Sequence, residues 1–168
     1  MLAELSRILI DGSWLFAFAD DEIQLDVHGL IEDSDFKRRQ TCVWDFEQLS
    51  MGAYHRIAHY PILTATVGDT DRQLRSRGTV YRALRSTGAI SVGHERPTSK
   101  PIDLYRQMLE PPVLEQGERL LEPFAGTAPG LSVCQERNLR YWGVDIDAEI
   151  VEERQQEPAA VSLKGWLS

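Results

Sequence analysis

Short apolar runs of strand length alternate with segments of helical periodicity along most of the chain, and this alternation narrows the possible folds most. "LAELSRIL" sets Leu2, Leu5, Ile8 and Leu9 at helical spacing before Asp11-Gly12 breaks the pattern. "SWLFAFA" follows as a continuous apolar run, which predicts a strand buried on both faces, as in a parallel sheet. "DDEIQLDVHGLIEDSDF" reads as a helix and its exit, "RRQTCVWDF" as a strand, and "AHYPILTATVG" as a further strand closed by Gly68. "PIDLYRQMLE" predicts a short helix with Pro101 in its first turn. "ERLLEPF", "GLSVCQERN", "YWGVDID" and "AEIVEERQQ" then read as strand, helix, strand and helix. The pattern predicts an α/β sheet with helices on both faces.

A length of 168 residues suits one domain with a real core. We place that domain at residues 1–154, with a polar, Arg-rich region at 69–99 and a flexible tail at 155–168. No apolar run approaches the roughly 18 residues that would cross a bilayer, which argues against a membrane protein. The N-terminus lacks a basic flank and a small-residue cleavage site, so it reads as an amphipathic helix rather than a signal peptide. Two cysteines, Cys42 and Cys134, lie far apart without metal-like spacing, and a reduced, cytoplasmic setting is the simplest reading. A net charge of −8 argues against a protein that coats nucleic acid uniformly, but it leaves room for a local basic patch.

"LLEPFAGTAPGLSV" carries the first functional signal. It places a small-residue turn at the carboxyl end of a strand and before a helix, where open α/β sheets bind ligands. Gly126 lets the backbone turn sharply, and the amides of the helix's first turn favour an anionic group. Asp145 follows about 20 residues later at the end of the next strand, the offset at which an acid accepts ribose hydroxyls. Turn and acid together suit an adenosine-bearing cofactor, although such a turn is also common for purely structural reasons.

Neighbouring segments make the signal specific. "EPFAGTAPGLSVCQERNLRYWGVDIDAEIVE" resembles the S-adenosylmethionine-binding motif of the β-class DNA amino-methyltransferases, D-P-F-x-G-S-G-T-T followed by G-I-E-I-D. "RPTSKPIDLYRQML" is similar to that family's H-P-T-x-K-P-x-x-L segment, and the two stretches around "SWLFAFA" and "CVWDFEQLSMGAYHRIAHYPILTATVG" resemble its later strands, in the family's order. The resemblance covers residues 1–154 and implies a Rossmann-like sheet that binds S-adenosylmethionine. It implies that Phe124, Ala125 and Gly126 line the cofactor, with Glu122 in place of the family's Asp near the methionine part. It further implies that Asp145 holds the ribose, that Ile146 flanks the adenine, and that Thr98 and Lys100 touch the cofactor from the side. Read alone, Lys100 would be a solvated loop lysine and Phe124 a core aromatic.

Two departures from the family pattern matter. The position of the turn's second glycine is Ala128, followed by Pro129 and Gly130. The catalytic sequence (D/N/S)-P-P-(Y/F), whose polar group and carbonyl accept hydrogen bonds from the target amine, has no counterpart. "EPPV", at Glu110 to Val113, lies in the linker before the cofactor strand and offers no stacking ring. In the family's fold the catalytic strand lies between the cofactor strand and the strand matched by "SWLFAFA". The resemblance therefore implies half of a split enzyme, a truncated product or a rearranged sheet, and no catalytic residue is assigned.

"DRQLRSRGTVYRALRS" concentrates Arg72, Arg75, Arg77, Arg82 and Arg85 where the family places target recognition, which implies contacts to the phosphates of duplex DNA. A solvated loop is the alternative. His55 and His59 stand at i, i+4 without a third ligand, so no metal is expected. The expectation is a DNA methyltransferase acting on adenine-N6 or cytosine-N4, with a second polypeptide or a second copy of the chain completing the site. The alternative is a non-catalytic relative that binds DNA or another subunit. Restriction–modification, phage self-protection and gene regulation are all open roles.

Overall fold

Seven consecutive buried residues, Pro61–Val67, make β3 (His59–Val67) the centre of a four-stranded sheet. The computed structural model describes residues 1–50, 52, 54–85 and 100–146. The chain divides into two compact units, Met1–Leu84 and Arg85–Ser168.

In the first unit, α1 (Leu2–Ile8) precedes β1 (Trp14–Phe18), and α2 (Gln24–Glu32) precedes β2 (Phe36–Asp45). The strand order is β1-β3-β2-β4, with β4 at Val80–Arg82. β3 runs antiparallel to both neighbours, with Phe16 opposite Thr64 on one side and Cys42 opposite Ile62 on the other. A bulge interrupts β2 between Arg38 and Thr41. β4 adds in parallel, Val43 facing Val80 and Asp45 facing Arg82. Asp20 accepts the amides of Glu22 and Ile23 at 3.0 Å each, which organises the turn that starts α2. Trp44 anchors the core: its indole N–H donates to the Ala83 carbonyl at 2.7 Å, and its ring packs against Phe46 with centroids 5.3 Å apart.

Buried hydroxyls in β3 are satisfied locally. Thr64 donates to the Gln40 carbonyl, and Thr66 donates to the Gly68 carbonyl at 2.7 Å. Burying them unpaired would cost about 1–3 kcal/mol each.

The second unit contains α3 (Ile102–Met108), β5 (Arg119–Glu122), α4 (Pro129–Glu136) and β6 (Arg140–Gly143). β5 and β6 pair in parallel, Leu120 opposite Tyr141 and Glu122 opposite Gly143. α3 packs on α4, and Leu104, Met108, Leu131 and Val133 are all at most 2% exposed. Arg106 ties the two helices through Glu136 and also bonds Asp103 one turn earlier on its own helix. Arg137 donates to the carbonyls of Leu109 and Leu114, which fixes the loop before β5.

The mixed α/β class agrees with the sequence, and three details differ. β1 is not buried on both faces: all five residues are half-buried, and its one strand neighbour, β3, is antiparallel. β4 falls inside the stretch read as polar and aperiodic, because three residues are too few to show a period. Among the described residues the strands form two sheets rather than one, so β1 and β5 each have a neighbour on one side only. The expected helix "AEIVEERQQ" and the tail from 155 lie outside the described residues. Both cysteines are buried free thiols, and no described helix is long and apolar enough to cross a membrane.

Candidate functional site

The segment joining β5 to α4 folds back on the end of β6. Val144 N–H donates to the Glu122 carbonyl and Ala125 N–H donates to the Val144 carbonyl, each at 3.0 Å. Gly126 N–H then donates to the Asp145 carboxylate at 2.7 Å. The small-residue turn and the acid, 19 positions apart, are thus joined by one charge-assisted bond. Gly126 has a φ of +50°, and a Cβ placed on it would meet nothing within 4 Å, so open space lies over the turn. Phe124 and Ile146, which flank the turn and the acid in sequence, are 73% and 102% exposed.

Ala128 also adopts a left-handed conformation, with φ +52°. That geometry costs an L-residue roughly 1–2 kcal/mol. Its methyl is 3% exposed, and burying one methyl offsets about 0.8 kcal/mol of that. The turn therefore reaches a glycine-like shape without the glycine.

Glu122 lies inside the unit, 8% exposed. Its carboxylate accepts from the Tyr141 hydroxyl at 2.7 Å, and also from Tyr105 and the Gly130 amide. The sequence leads one to expect an external anion at the start of α4. The Gly130 amide of that first turn is instead engaged by the protein's own carboxylate. Gly130 and Gly143 leave room for this pair, since a Cβ on either would fall within 2.9 Å of Glu122 or Tyr141 atoms.

Burial pushes the Glu122 carboxyl above its ordinary value of 4.5, against the opposing hydrogen bonds. Such a group favours the fold while protonated. That contribution is full below 4.5 and is lost as pH rises through the folded-state value. Glu122→Gln carries no charge at any pH and should escape this loss, so its stability relative to wild type should rise from about pH 4 to about pH 7. Urea midpoints at the two pH values check this, and an unchanged gap would refute it.

The other candidate residues are dispersed. Lys100 is half-buried just before α3, and burial together with Arg85 pushes its ammonium below the usual range. Thr98 lies outside the described residues. Of the arginines, Arg72, Arg75 and Arg77 line one cavity of the first unit, Arg82 stands on β4 at 3.6 Å from Asp45, and Arg85 belongs to the second unit. Arg39 joins the cavity from β2, and only the basic run Lys37-Arg38-Arg39 hinted at it. His55 sits in a bend and His59 opens β3, so their helical spacing does not occur. Among the described residues no cluster of three metal-ligating side chains is present.

No family model and no curated protein matches the sequence. Solved structures do match. M1.HpyAVI in complex with SAM superposes with a TM-score of 0.73 at 12% identity, over 92% of this chain and 78% of that one. TTHA0409 from Thermus thermophilus, assigned as a DNA modification methylase, gives 0.70 at 17% identity, over 95% of this chain and 75% of that one. TTHA0409 complexed with S-adenosyl-L-methionine gives 0.66, over 91% and 72%. The chain shares their fold. At these identities the likeness is one of architecture, and the turn between β5 and α4 must be judged on its own groups.

Proposed function

We propose that the chain is the S-adenosylmethionine-binding part of a DNA amino-methyltransferase, acting on adenine-N6 or cytosine-N4 of duplex DNA. The observation that carries this reading is the Gly126–Asp145 bond beneath open space, in a fold shared with proteins solved with that cofactor. The residues present fit such a ligand. A carboxylate offers about four acceptor positions, so Asp145 can bond Gly126 and also receive ribose hydroxyls. Phe124 and Ile146 offer exposed apolar surface to a purine. The cofactor, when bound, supplies an electrophilic methyl group.

No described side chain is assigned as the catalytic acceptor for the target amine. We infer that a partner polypeptide, or a second copy of the chain, brings those groups. That β1 and β5 each pair on one side only among the described residues supports this, because a sheet edge suits an incoming strand. Arg72, Arg75, Arg77, Arg82 and Arg85 would meet DNA phosphates, and the setting would be cytoplasmic.

Calorimetric titration with S-adenosylmethionine tests the cofactor site. Asp145→Ala should weaken binding roughly 10- to 100-fold, the equivalent of a hydrogen bond to a charged group. The absence of binding by wild type would refute the reading. Transfer of a labelled methyl group to duplex DNA should require an added polypeptide carrying (D/N/S)-P-P-(Y/F). The rival reading, a non-catalytic relative, draws support from Ala128 in the turn and from Glu122 engaging the first turn of α4. Cofactor binding without transfer in either assay would favour it.

A further inference from the structure

A turn between a strand and a helix commonly binds phosphate, because its amides and those of the helix's first turn point at the ligand. In this chain the protein's own groups take those amides. Ala125 N–H donates to the Val144 carbonyl at 3.0 Å, and Gly126 N–H donates to the Asp145 carboxylate at 2.7 Å. Ala128 N–H donates to the Ala125 carbonyl at 2.7 Å, and Leu131 N–H donates to the Ala128 carbonyl at 3.0 Å. Thr127 has a partner as well. Pro129, the first residue of α4, carries no N–H. The Gly130 amide donates to Glu122.

The two charged acceptors are fixed in place. Asp145 is half-buried at the end of β6 and bonded to the turn itself. Glu122 is buried, and it receives the Tyr141 hydroxyl at 2.7 Å and Tyr105 besides Gly130. A Cβ on Gly130 would lie 2.8 Å from the Glu122 Oε2, so the glycine is what lets the carboxylate come this close to α4. The arrangement therefore belongs to the packing of the unit rather than to a loose side chain.

A phosphate arriving over Gly126 would give up its water to amides that are already bonded, beside carboxylates of its own sign. A neutral or cationic group meets neither difficulty. Size is not the barrier, because a Cβ on Gly126 would meet nothing within 4 Å.

We propose that the turn admits an adenosine whose 5′ carbon carries a neutral or cationic group and rejects one whose 5′ carbon carries a phosphate, with Glu122 as the positioning residue behind this choice. The inference rests on the cofactor reading above and adds a rule of selection to it. Free nucleotides and dinucleotides, which share the adenosine, are kept out of the site.

Calorimetry on the full chain at about pH 8, above the ordinary carboxylate range, tests this. The ligands are S-adenosylmethionine, adenosine, AMP and 5′-O-sulfamoyladenosine, whose neutral group has nearly the size of a phosphate. Adenosine and the sulfamoyl analogue should bind within about threefold of each other, and AMP at least about tenfold more weakly, the equivalent of one missing hydrogen bond to a charged group. Glu122→Gln keeps an acceptor oxygen for Gly130 and removes the charge, so it should narrow the gap between AMP and adenosine by at least about threefold. A merely structural role for Glu122 would shift both ligands equally. AMP as tight as adenosine, a sulfamoyl analogue as weak as AMP, or an unchanged gap in Glu122→Gln would each overturn the proposal and leave the cofactor reading in place. Failure of both S-adenosylmethionine and adenosine to bind would remove the cofactor reading and the proposal with it.

Discussion

Gly143→Ala is expected to destabilise the second unit by about 2–6 kcal/mol, a large effect for one methyl group. The new Cβ would lie 2.5 Å from the Tyr141 hydroxyl oxygen and 2.6 Å from its Cε1, so the ring must move. Crowding of this kind costs about 1–3 kcal/mol. Moving the ring also withdraws a hydroxyl from the buried Glu122 carboxylate, which adds roughly 1–3 kcal/mol. Tyr141→Phe removes the hydroxyl and keeps the ring, so it isolates the second contribution. Urea denaturation followed by hydrogen exchange at β5 and β6 measures both. A Gly143→Ala change below about 0.5 kcal/mol would show that Tyr141 has another place to go.

Trp44→Ala is expected to cost about 3–5 kcal/mol, the range for removing a buried aromatic side chain. The indole is 2% exposed, packs on Phe46 and Tyr60, and supplies the donor for the Ala83 carbonyl just beyond β4. Against a typical total of about 5–15 kcal/mol, the first unit should lose its cooperative transition near body temperature. Trp44→Phe should restore most of the packing but not the N–H bond. Melting of Trp44→Ala within about 1 kcal/mol of wild type would mean that the cavity collapses at little cost.

Much of this architecture was legible in the sequence because its signals are local. The β5–turn–α4–β6 run announces itself through two apolar strands, Gly126, Pro129 and an acid at a recognisable offset. The rest depends on partners distant in the chain. β4 exists because Val80–Arg82 finds Val43–Asp45, and three residues carry no period of their own. The apolar content of "SWLFAFA" indicated a strand, whereas its half-burial and its single strand neighbour among the described residues depend on tertiary packing. Alanine seldom takes positive φ, so the shape at Ala128 could not be read from its name. Glu122 resembled a ligand-facing acid until tertiary packing brought Tyr105, Tyr141 and Gly130 to it. The arginine cavity needed Arg39 from β2 beside Arg72, Arg75 and Arg77, a grouping that no linear window contains.

The order β1-β3-β2-β4 bears on how the chain is made as well as how it rests. β1 precedes β2 and β3 along the chain, but its neighbour in the sheet is β3. At about 5–20 residues per second, Trp14–Phe18 must wait a few seconds for β3 to emerge. During that interval an apolar segment with both edges open is exposed to other nascent chains. The hairpin of β2 and β3 can form without β1, whereas β1 cannot pair without it. β1 is therefore held in the sheet only after a strand some forty residues further along has been made, and its sequence must keep that wait from becoming an aggregation route.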